Sequence, residues 1–144
     1  MAFSDLEIFA RIIKCEAGGE GDNGMKAVAT VIMNRVQTLD GEYGRYNTVR
    51  DVIFAPYQFV CAMTSVAGVY NAQNLYNMNP GQVHYDIAEW AIGGGRLGMV
   101  GDALWFYNPY SVDCQQRFPN ESGNLIIRIG NHCFYAPTEF YYQT

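Results

Sequence analysis

Glu16 is the residue best suited to acid–base chemistry, and it lies in the run CEAGGE near the end of a predicted helix. Ile13 and Ile12 stand three and four positions before it, and it has no basic partner at helical spacing. Apolar neighbours and the partial negative charge of a helix C-terminus both favour a protonated carboxyl group. The helix dipole contributes only about 0.3 to 1 kcal/mol, so burial must supply most of any rise in pKa. This setting predicts a general acid.

Two other glutamates lie near Glu16 along the chain. Glu7 has Arg11 four residues on, the spacing of a helical ion pair that keeps a carboxylate charged. Glu20 follows a double glycine, and the sharp turn that glycine allows can bring a second carboxylate back toward Glu16. Spacing alone leaves Glu20 open as a second catalytic carboxylate or as a solvated loop charge.

The elements that must position these carboxylates are helices in the first two thirds of the chain. Ser4 and Glu7 form a capping box at the start of the first helix, and Asp22 or Asn23 can cap the second. Apolar residues at helical spacing support each helix. The predicted helices cover about residues 5–17, about 23–38, a short stretch from Thr48 to before Pro56, and the run from Asn79 to Gly93.

The last third of the chain reads as strands. ALWFY, beginning at Ala103, has the composition of a buried strand. NLIIR and HCFYA flank a Gly130-Asn131 turn and predict a β-hairpin. Helices followed by a small antiparallel sheet predict an α+β fold, and the absence of a repeat or linker predicts one domain over residues 1–144.

Composition excludes several classes of function. The formal net charge is −5 and the nine basic residues are scattered, so a nucleic-acid partner is not expected. MAFSDLEIFA lacks the pattern of a signal peptide, and no eighteen-residue apolar run predicts a membrane span. The eleven tyrosines exceed what a core of this size needs, so some rings are expected in a groove, where flat rings suit sugars.

The cysteines predict neither a metal site nor a cofactor. Cys15, Cys61, Cys114 and Cys133 contain no CxxC pair, so zinc is not expected. We expect four reduced, mostly buried thiols, with a Cys114–Cys133 disulfide as the alternative.

Four blocks of the chain together resemble the spore cortex-lytic cell-wall hydrolases, the SleB/CwlJ family, and the late cysteine and HCFY favour its CwlJ-like branch. They occur in family order across nearly the whole sequence. The blocks are ARIIKCEAGGEGDNGMKAVATVIMNRV, DVIFAPYQF, ALWFYNP and CQQRFPNESGNLIIRIGNHCFYAP.

The resemblance implies a role for each glutamate of the CEAGGE run. The family's catalytic glutamate matches Glu16, and the second glutamate of the same family block matches Glu20. The position often occupied by arginine in that family is Gly18 here, so any help from a cation must come from elsewhere.

The resemblance also implies a lysozyme-like, lytic-transglycosylase-like architecture acting on peptidoglycan glycan strands. In such enzymes one glutamate protonates the bond between N-acetylmuramic acid and N-acetylglucosamine, and the muramic C6 hydroxyl closes a 1,6-anhydro ring. Hydrolysis would instead need a partner carboxylate about 5 to 10 Å away, for which Glu20 is the candidate. The family implies action on spore cortex during germination. The residues that could line the sugar cleft are Gln58, Phe59, Tyr107, Asn108, Phe118, His132 and Phe134.

Two other classes of function remain open from the sequence. A Cys-His amidase or peptidase would pair a cysteine with His84 or His132, and a non-catalytic module would bind peptidoglycan through its tyrosines. For location, we expect the spore coat, cortex or wall, reached by non-classical packaging, or the cytoplasm until release. A spore-coat helper protein is a possible partner.

Overall fold

The computed structural model describes residues 3–144. The first two residues of MAFSDLEIFA, the segment used for the signal-peptide prediction, lie outside this range. The helices pack their apolar stripes against one another, with α1 contacting all three of the others. Within residues 3–144 no helix is both long and apolar enough to cross a membrane. The α-helices are α1 (Asp5–Ala17), α2 (Gly21–Gln37), α3 (Val49–Ile53) and α4 (Gln82–Ile92).

Helix α1 begins and ends where local chemistry requires. The Ser4 side chain accepts a hydrogen bond from the backbone N–H of Glu7 at 3.1 Å, as the capping pattern predicts. Ile8, Phe9, Ile12 and Ile13 are almost fully buried along one face. This face anchors the end of α1, where Glu16 lies, to the helical core.

Two helix starts differ from the prediction. Helix α2 begins at Gly21 with Glu20 at its N-cap, so neither Asp22 nor Asn23 caps it. The Glu20 side chain makes no capping hydrogen bond to α2, because its carboxyl group binds Asn131 instead. Helix α4 begins at Gln82 rather than at Asn79, and the Nδ1 of His84 accepts a hydrogen bond from the backbone N–H of Gly81.

The β-structure consists of a short hairpin and a three-stranded antiparallel sheet in the order β3-β5-β4. The predicted Gly130-Asn131 turn joins β4 and β5, with Gly130 at a positive φ of 57°. The short hairpin of β1 and β2 was not predicted, because its strands have only two residues each. The strands are β1 (Ser65–Val66), β2 (Val69–Tyr70), β3 (Trp105–Tyr107), β4 (Gly123–Ile129) and β5 (His132–Pro137).

The two faces of the three-stranded sheet belong to different cores. Phe134 and its neighbour Phe106 face the helices, whereas Trp105 and Tyr135 pack on the opposite side with Tyr141. This alternation follows from the period of two in a strand. The predicted α+β fold, with helices first and a small antiparallel sheet later, is therefore confirmed.

Both cysteine pairs are disulfides, so the expectation of four reduced thiols is wrong. Cys15 bonds Cys61, 46 residues away, and Cys114 bonds Cys133, 19 residues away. The second pair is the alternative that the sequence allowed. The first joins the end of α1 to a distant loop, a contact between segments that local spacing does not reveal.

Candidate active site

A cleft of about 550 Å³ lies where the end of α1 faces the three-stranded sheet. One wall comes from the helices, one from the loop after α3, and one from β3, the segment after it and the first residue of β5. Five sequence-predicted site residues besides both glutamates line it. Its lining residues are 14–20, 35, 58–60, 106–108, 110 and 132.

Glu16 lies in this cleft with a strongly perturbed carboxyl group. Loss of hydration on burial raises the pKa of Glu16 from 4.5 to about 7. A polar contact with the backbone of Cys61 and the positive charge of Arg35 act in the opposite direction but are weaker. As expected from the sequence, desolvation is the dominant cause of the raised pKa of Glu16.

Arg35 provides the cation that Gly18 does not. Helix α2 carries Arg35 into the buried floor of the cleft, where its Nε donates to the carbonyl of Leu104 at 2.7 Å. Its Nη1 donates to Oε1 of Gln58 at 3.1 Å, and its guanidinium lies 4.3 Å from the centre of the Tyr43 ring. These contacts fix the cation close enough to favour the ionised form of Glu16.

Glu20 faces the same cleft but is held by the β-hairpin. Its Oε1 accepts a hydrogen bond of 2.8 Å from the backbone N–H of Asn131, and its Oε2 accepts one of 3.2 Å from the Asn131 side chain. Only 13% of the Glu20 side chain is exposed. A Cβ at Gly130 would come within 3.1 Å of its carboxylate, so glycine suits this turn. Glu20 thus ties the start of α2 to the sheet.

His132 and Tyr107 bring polar atoms to the sheet wall of the cleft. Burial lowers the pKa of His132, and the nearby Glu20 carboxylate only partly offsets this, so the imidazole is neutral at pH 7. Its Nδ1 is 3.5 Å from Oε1 of Glu20, outside good hydrogen-bond geometry. Among the described residues, this nitrogen and the buried Tyr107 Oη have no hydrogen-bond partner. Both atoms are buried, so they lie behind the surface of the cleft.

The other predicted cleft residues divide into three groups. Gln58, Phe59 and Asn108 line the cleft, although Phe59 is otherwise buried. Phe118 lies in an adjoining pocket and stacks on Tyr107 with ring centres 4.2 Å apart. Phe134 lines neither pocket. It is fully buried because it points toward the helices from β5, so its predicted place in the cleft is corrected to the core.

Three features of the site were not predicted from the sequence. Arg35 stands near the end of the first family-like block, but no role was predicted for it, and the Cys61 backbone reaches Glu16 only through the fold. Tyr110 lines the cleft and is 90% exposed. The high tyrosine content was the one signal that pointed to such a ring.

Neither a cysteine nucleophile nor a three-ligand metal centre is present in the described chain. All four cysteines are in disulfides, so the Cys-His amidase alternative lacks the free thiol that it requires. Across residues 3–144, no three His, Cys, Asp or Glu side chains are grouped so that they could hold a metal ion.

Comparison with known proteins gives consistent results. The family model described as Cell Wall Hydrolase matches residues 19–135, a range that begins just after Glu16. The cell wall hydrolase CwlJ of Bacillus subtilis is 29% identical over 135 residues, covering 94% of this chain and 87% of that protein. A spore cortex-lytic enzyme of Bacillus cereus is 28% identical over 91% of this chain and 44% of its own length.

Two solved structures have a fold similar to that of this chain. The catalytic domain of the germination-specific lytic transglycosylase SleB from Bacillus anthracis superimposes with a TM-score of 0.67 at 27% identity, covering 94% of this chain and 96% of that one. The catalytic domain of Bacillus cereus SleB gives a TM-score of 0.66 at 28% identity, covering 93% and 92%. Because the family model spans most of the sequence and the fold agrees, the chain belongs to the cell wall hydrolase family.

Proposed function

We propose that this cell wall hydrolase cuts peptidoglycan glycan strands between N-acetylmuramic acid and N-acetylglucosamine, with Glu16 as both acid and base. The observation that carries the proposal is the Glu16 pKa of about 7 inside a cleft. A group with a pKa near the working pH can give a proton to a leaving oxygen and later take one back. The same carboxyl group can therefore serve both half-reactions.

The environment of Glu20 supports a lytic transglycosylase over a simple hydrolase. Both Glu20 oxygens accept hydrogen bonds from Asn131, so the carboxyl group is fixed in place and holds the hairpin. Attack by the muramic C6 hydroxyl needs no second catalytic carboxylate, because an internal hydroxyl reacts at high effective molarity. Glu16 alone then suffices for the proton transfers.

The sheet wall of the cleft suits an uncharged polar substrate. Neutral His132 lines this wall, and the side-chain amides of Gln58 and Asn108 in the same cleft can hydrogen-bond sugar hydroxyls or N-acetyl groups. Arg35 is engaged by the protein itself, so it is not free to recruit an anion.

Mass spectrometry of digested peptidoglycan tests this function. The parent should release fragments with 1,6-anhydro-muramic ends, and Glu16→Gln should release almost none. Glu7→Gln is the matched control, because Glu7 lies on the same helix but pairs with Arg11 at 2.8 Å. Reducing muramic ends would indicate hydrolysis instead, and free stem peptides without glycan cleavage would refute the proposal.

We also propose that the substrate is spore cortex, in agreement with the names of the relatives, and that the chain works in an oxidising compartment. The two disulfides support the second point, since such bonds rarely persist in a reducing cytoplasm. Cortex should be digested faster than vegetative wall, and protein extracted under acid quench should resist alkylation until it is reduced. Equal digestion of cortex and vegetative wall would contradict the proposed substrate. Alkylation before reduction would contradict the proposed oxidising compartment.

A further inference from the structure

The Cys15–Cys61 disulfide lies directly beside the proposed acid. Cys15 is the residue before Glu16 in α1, and both residues line the cleft. Cys61 lies 46 residues further along the chain, in the short 3-10 turn Val60–Ala62, and its Cα is 6.1 Å from the Cα of Cys15. The bond therefore tethers a distant loop to the end of the helix that carries the acid.

The tethered segment, residues 58–61, supplies much of one wall of the cleft. Three of its four residues line the cleft. Oε1 of Gln58 accepts a hydrogen bond of 3.1 Å from Nη1 of Arg35, the buried cation whose charge acts on Glu16. The backbone of Cys61 makes a polar contact with Glu16 itself. Segment 58–61 thus acts on the acid both directly and through Arg35.

The other hydrogen bonds of segment 58–61 do not hold it against α1. Its backbone bonds are local, such as the one from the N–H of Ala62 to the carbonyl of Phe59 at 3.0 Å. From the loop after β2, the Asn71 side chain donates to the carbonyl of Val60 at 3.1 Å. Within the described part of the chain, no backbone hydrogen bond joins the segment to α1. The disulfide is the covalent link that sets the distance between them.

The Cys114–Cys133 disulfide has no comparable place in the site. Neither of its cysteines lines the cleft. Cys133 is fully buried and packs with Trp105 and Tyr135 on the face of the sheet that points away from the helices. Its removal takes one disulfide from the chain and leaves the surroundings of Glu16 intact. Cys114→Ala/Cys133→Ala is therefore the matched control, called the control pair below.

We propose that the Cys15–Cys61 disulfide is a positioning element of the active site, which holds segment 58–61 against the end of α1 so that Glu16 keeps its polar partners. The proposal rests on the proposed function, since it concerns the placement of the same acid. Cleavage then needs this bond as well as a folded chain, because a displaced proton donor loses its alignment with the reacting oxygen. A dithiol that gives the bond two electrons and two protons becomes a cyclic disulfide, leaves two thiols and releases the segment.

A carbon-13 NMR titration of Glu16 in the Cys15→Ala/Cys61→Ala pair measures the contact without catalysis. The Cys61 backbone and Arg35 both lower the pKa of Glu16 in the parent, so their withdrawal should raise this pKa above about 7. The control pair should titrate as the parent does. An unchanged Glu16 titration in both pairs would overturn the proposal. So would a fall toward 4.5, because the bond would then act by excluding water.

Kinetics on soluble glycan strands provide a second measurement. In the Cys15→Ala/Cys61→Ala pair, kcat should fall about tenfold to hundredfold while KM changes little. The alkaline limb of its pH profile should move to higher pH, following the pKa of Glu16. The control pair should keep the rate and the pH profile of the parent. A raised KM with an unchanged kcat would overturn the proposal, because the segment would then serve substrate binding and not the acid.

Reduction and reoxidation of the control pair test the bond itself, since this variant keeps only Cys15 and Cys61 of the four cysteines. Cys15 lines the cleft, where a small reductant can reach the bond. Dithiothreitol should lower the rate to that of the Cys15→Ala/Cys61→Ala pair, and reoxidation with oxidised glutathione should restore it. A parent-like rate in protein that alkylation shows to be reduced would refute the positioning role.

Two further measurements keep these outcomes distinct. Thermal melting should show that each variant is folded, and a pair that melts too early is titrated in concentrated sucrose, which favours the folded state. A parent that cleaves glycan while both pairs share its rate and its Glu16 titration refutes the positioning role alone. A parent that releases no fragments, with the Glu16 pKa raised only in the Cys15→Ala/Cys61→Ala pair, refutes the proposed function alone.

Discussion

The two walls of the cleft place their carboxyl groups in different surroundings. The helical wall shields Glu16 from water, so the charged form loses hydration and the pKa rises to about 7. The sheet wall gives Glu20 two hydrogen bonds from Asn131. The two residues are separated by a short turn, yet Glu16 is shielded from water and Glu20 is bonded to the hairpin.

This difference supports our proposal that the surroundings of a carboxyl group, rather than its closeness to the site, determine its role. Desolvation favours the protonated form and hydrogen-bond donors favour the ionised form. The wall that supplies donors also carries neutral His132 and the ring of Tyr107. The following variants test this division between the walls.

Replacing the acid should have the largest effect. Glu16→Gln keeps the shape of the side chain but cannot donate and accept the catalytic proton, so the rate of glycan cleavage should fall about 10²-fold to 10⁴-fold. Fragment release over time, with circular dichroism as the folding control, measures this. Retention of the parent rate in a folded variant would remove Glu16 from the mechanism.

Each wall has its own disulfide, and removing either should destabilise the fold. The loop model gives about 4 kcal/mol for Cys15–Cys61, which braces the helical wall, and about 3 kcal/mol for Cys114–Cys133 behind the sheet wall. Urea unfolding of the Cys15→Ala/Cys61→Ala and Cys114→Ala/Cys133→Ala pairs measures both. Stabilities within error of the parent would show that the bonds do not constrain the chain.

The buried acid should also make stability depend on pH. Because the folded pKa of Glu16 lies above 4.5, the folded state holds the proton more tightly, and this stability is lost as pH rises through about 7. The difference between the two values corresponds to about 3 kcal/mol. Glu16→Gln should therefore gain about that much over the parent at pH 8 and little at pH 4. Parallel stability curves for parent and variant would contradict a buried acid.

Neutralising the carboxylate of the sheet wall should have the smallest effect. Glu20→Gln loses the charge that strengthens its bonds to Asn131, which should cost about 1 to 2 kcal/mol of folding stability and reduce the rate less than tenfold. Urea unfolding and fragment release measure the two quantities. A rate loss as large as that of Glu16→Gln would instead make Glu20 a second catalytic carboxylate.

The parts of the molecule that depend on local chemistry were predictable from the sequence. The Ser4 cap, the end of α1 at its double glycine and the Gly130 turn each follow from residues within a few positions of one another. Desolvation of Glu16 was predictable too, because Ile12 and Ile13 lie one turn before it. These features determine where the acid is and why it holds its proton.

The parts that depend on distant segments were not predictable in this way. Arg35 and Cys61 reach Glu16 only after α2 and a later loop fold against α1. The start of α2 was predicted one or two residues too late. Glu20 is at its N-cap, and the Glu20 side chain makes no capping bond because its carboxyl group binds Asn131, more than one hundred residues on. Tyr57 has a positive φ of 61°, and because it is neither glycine nor asparagine the sequence does not indicate this conformation.

The most direct test of the division between the walls is a carbon-13 NMR titration of the glutamate side-chain carboxyl groups, with Glu16→Gln used to assign the Glu16 resonance. Glu16 should titrate near pH 7. A Glu16 resonance that titrates near pH 4.5, the ordinary value for an exposed glutamate, would contradict the account.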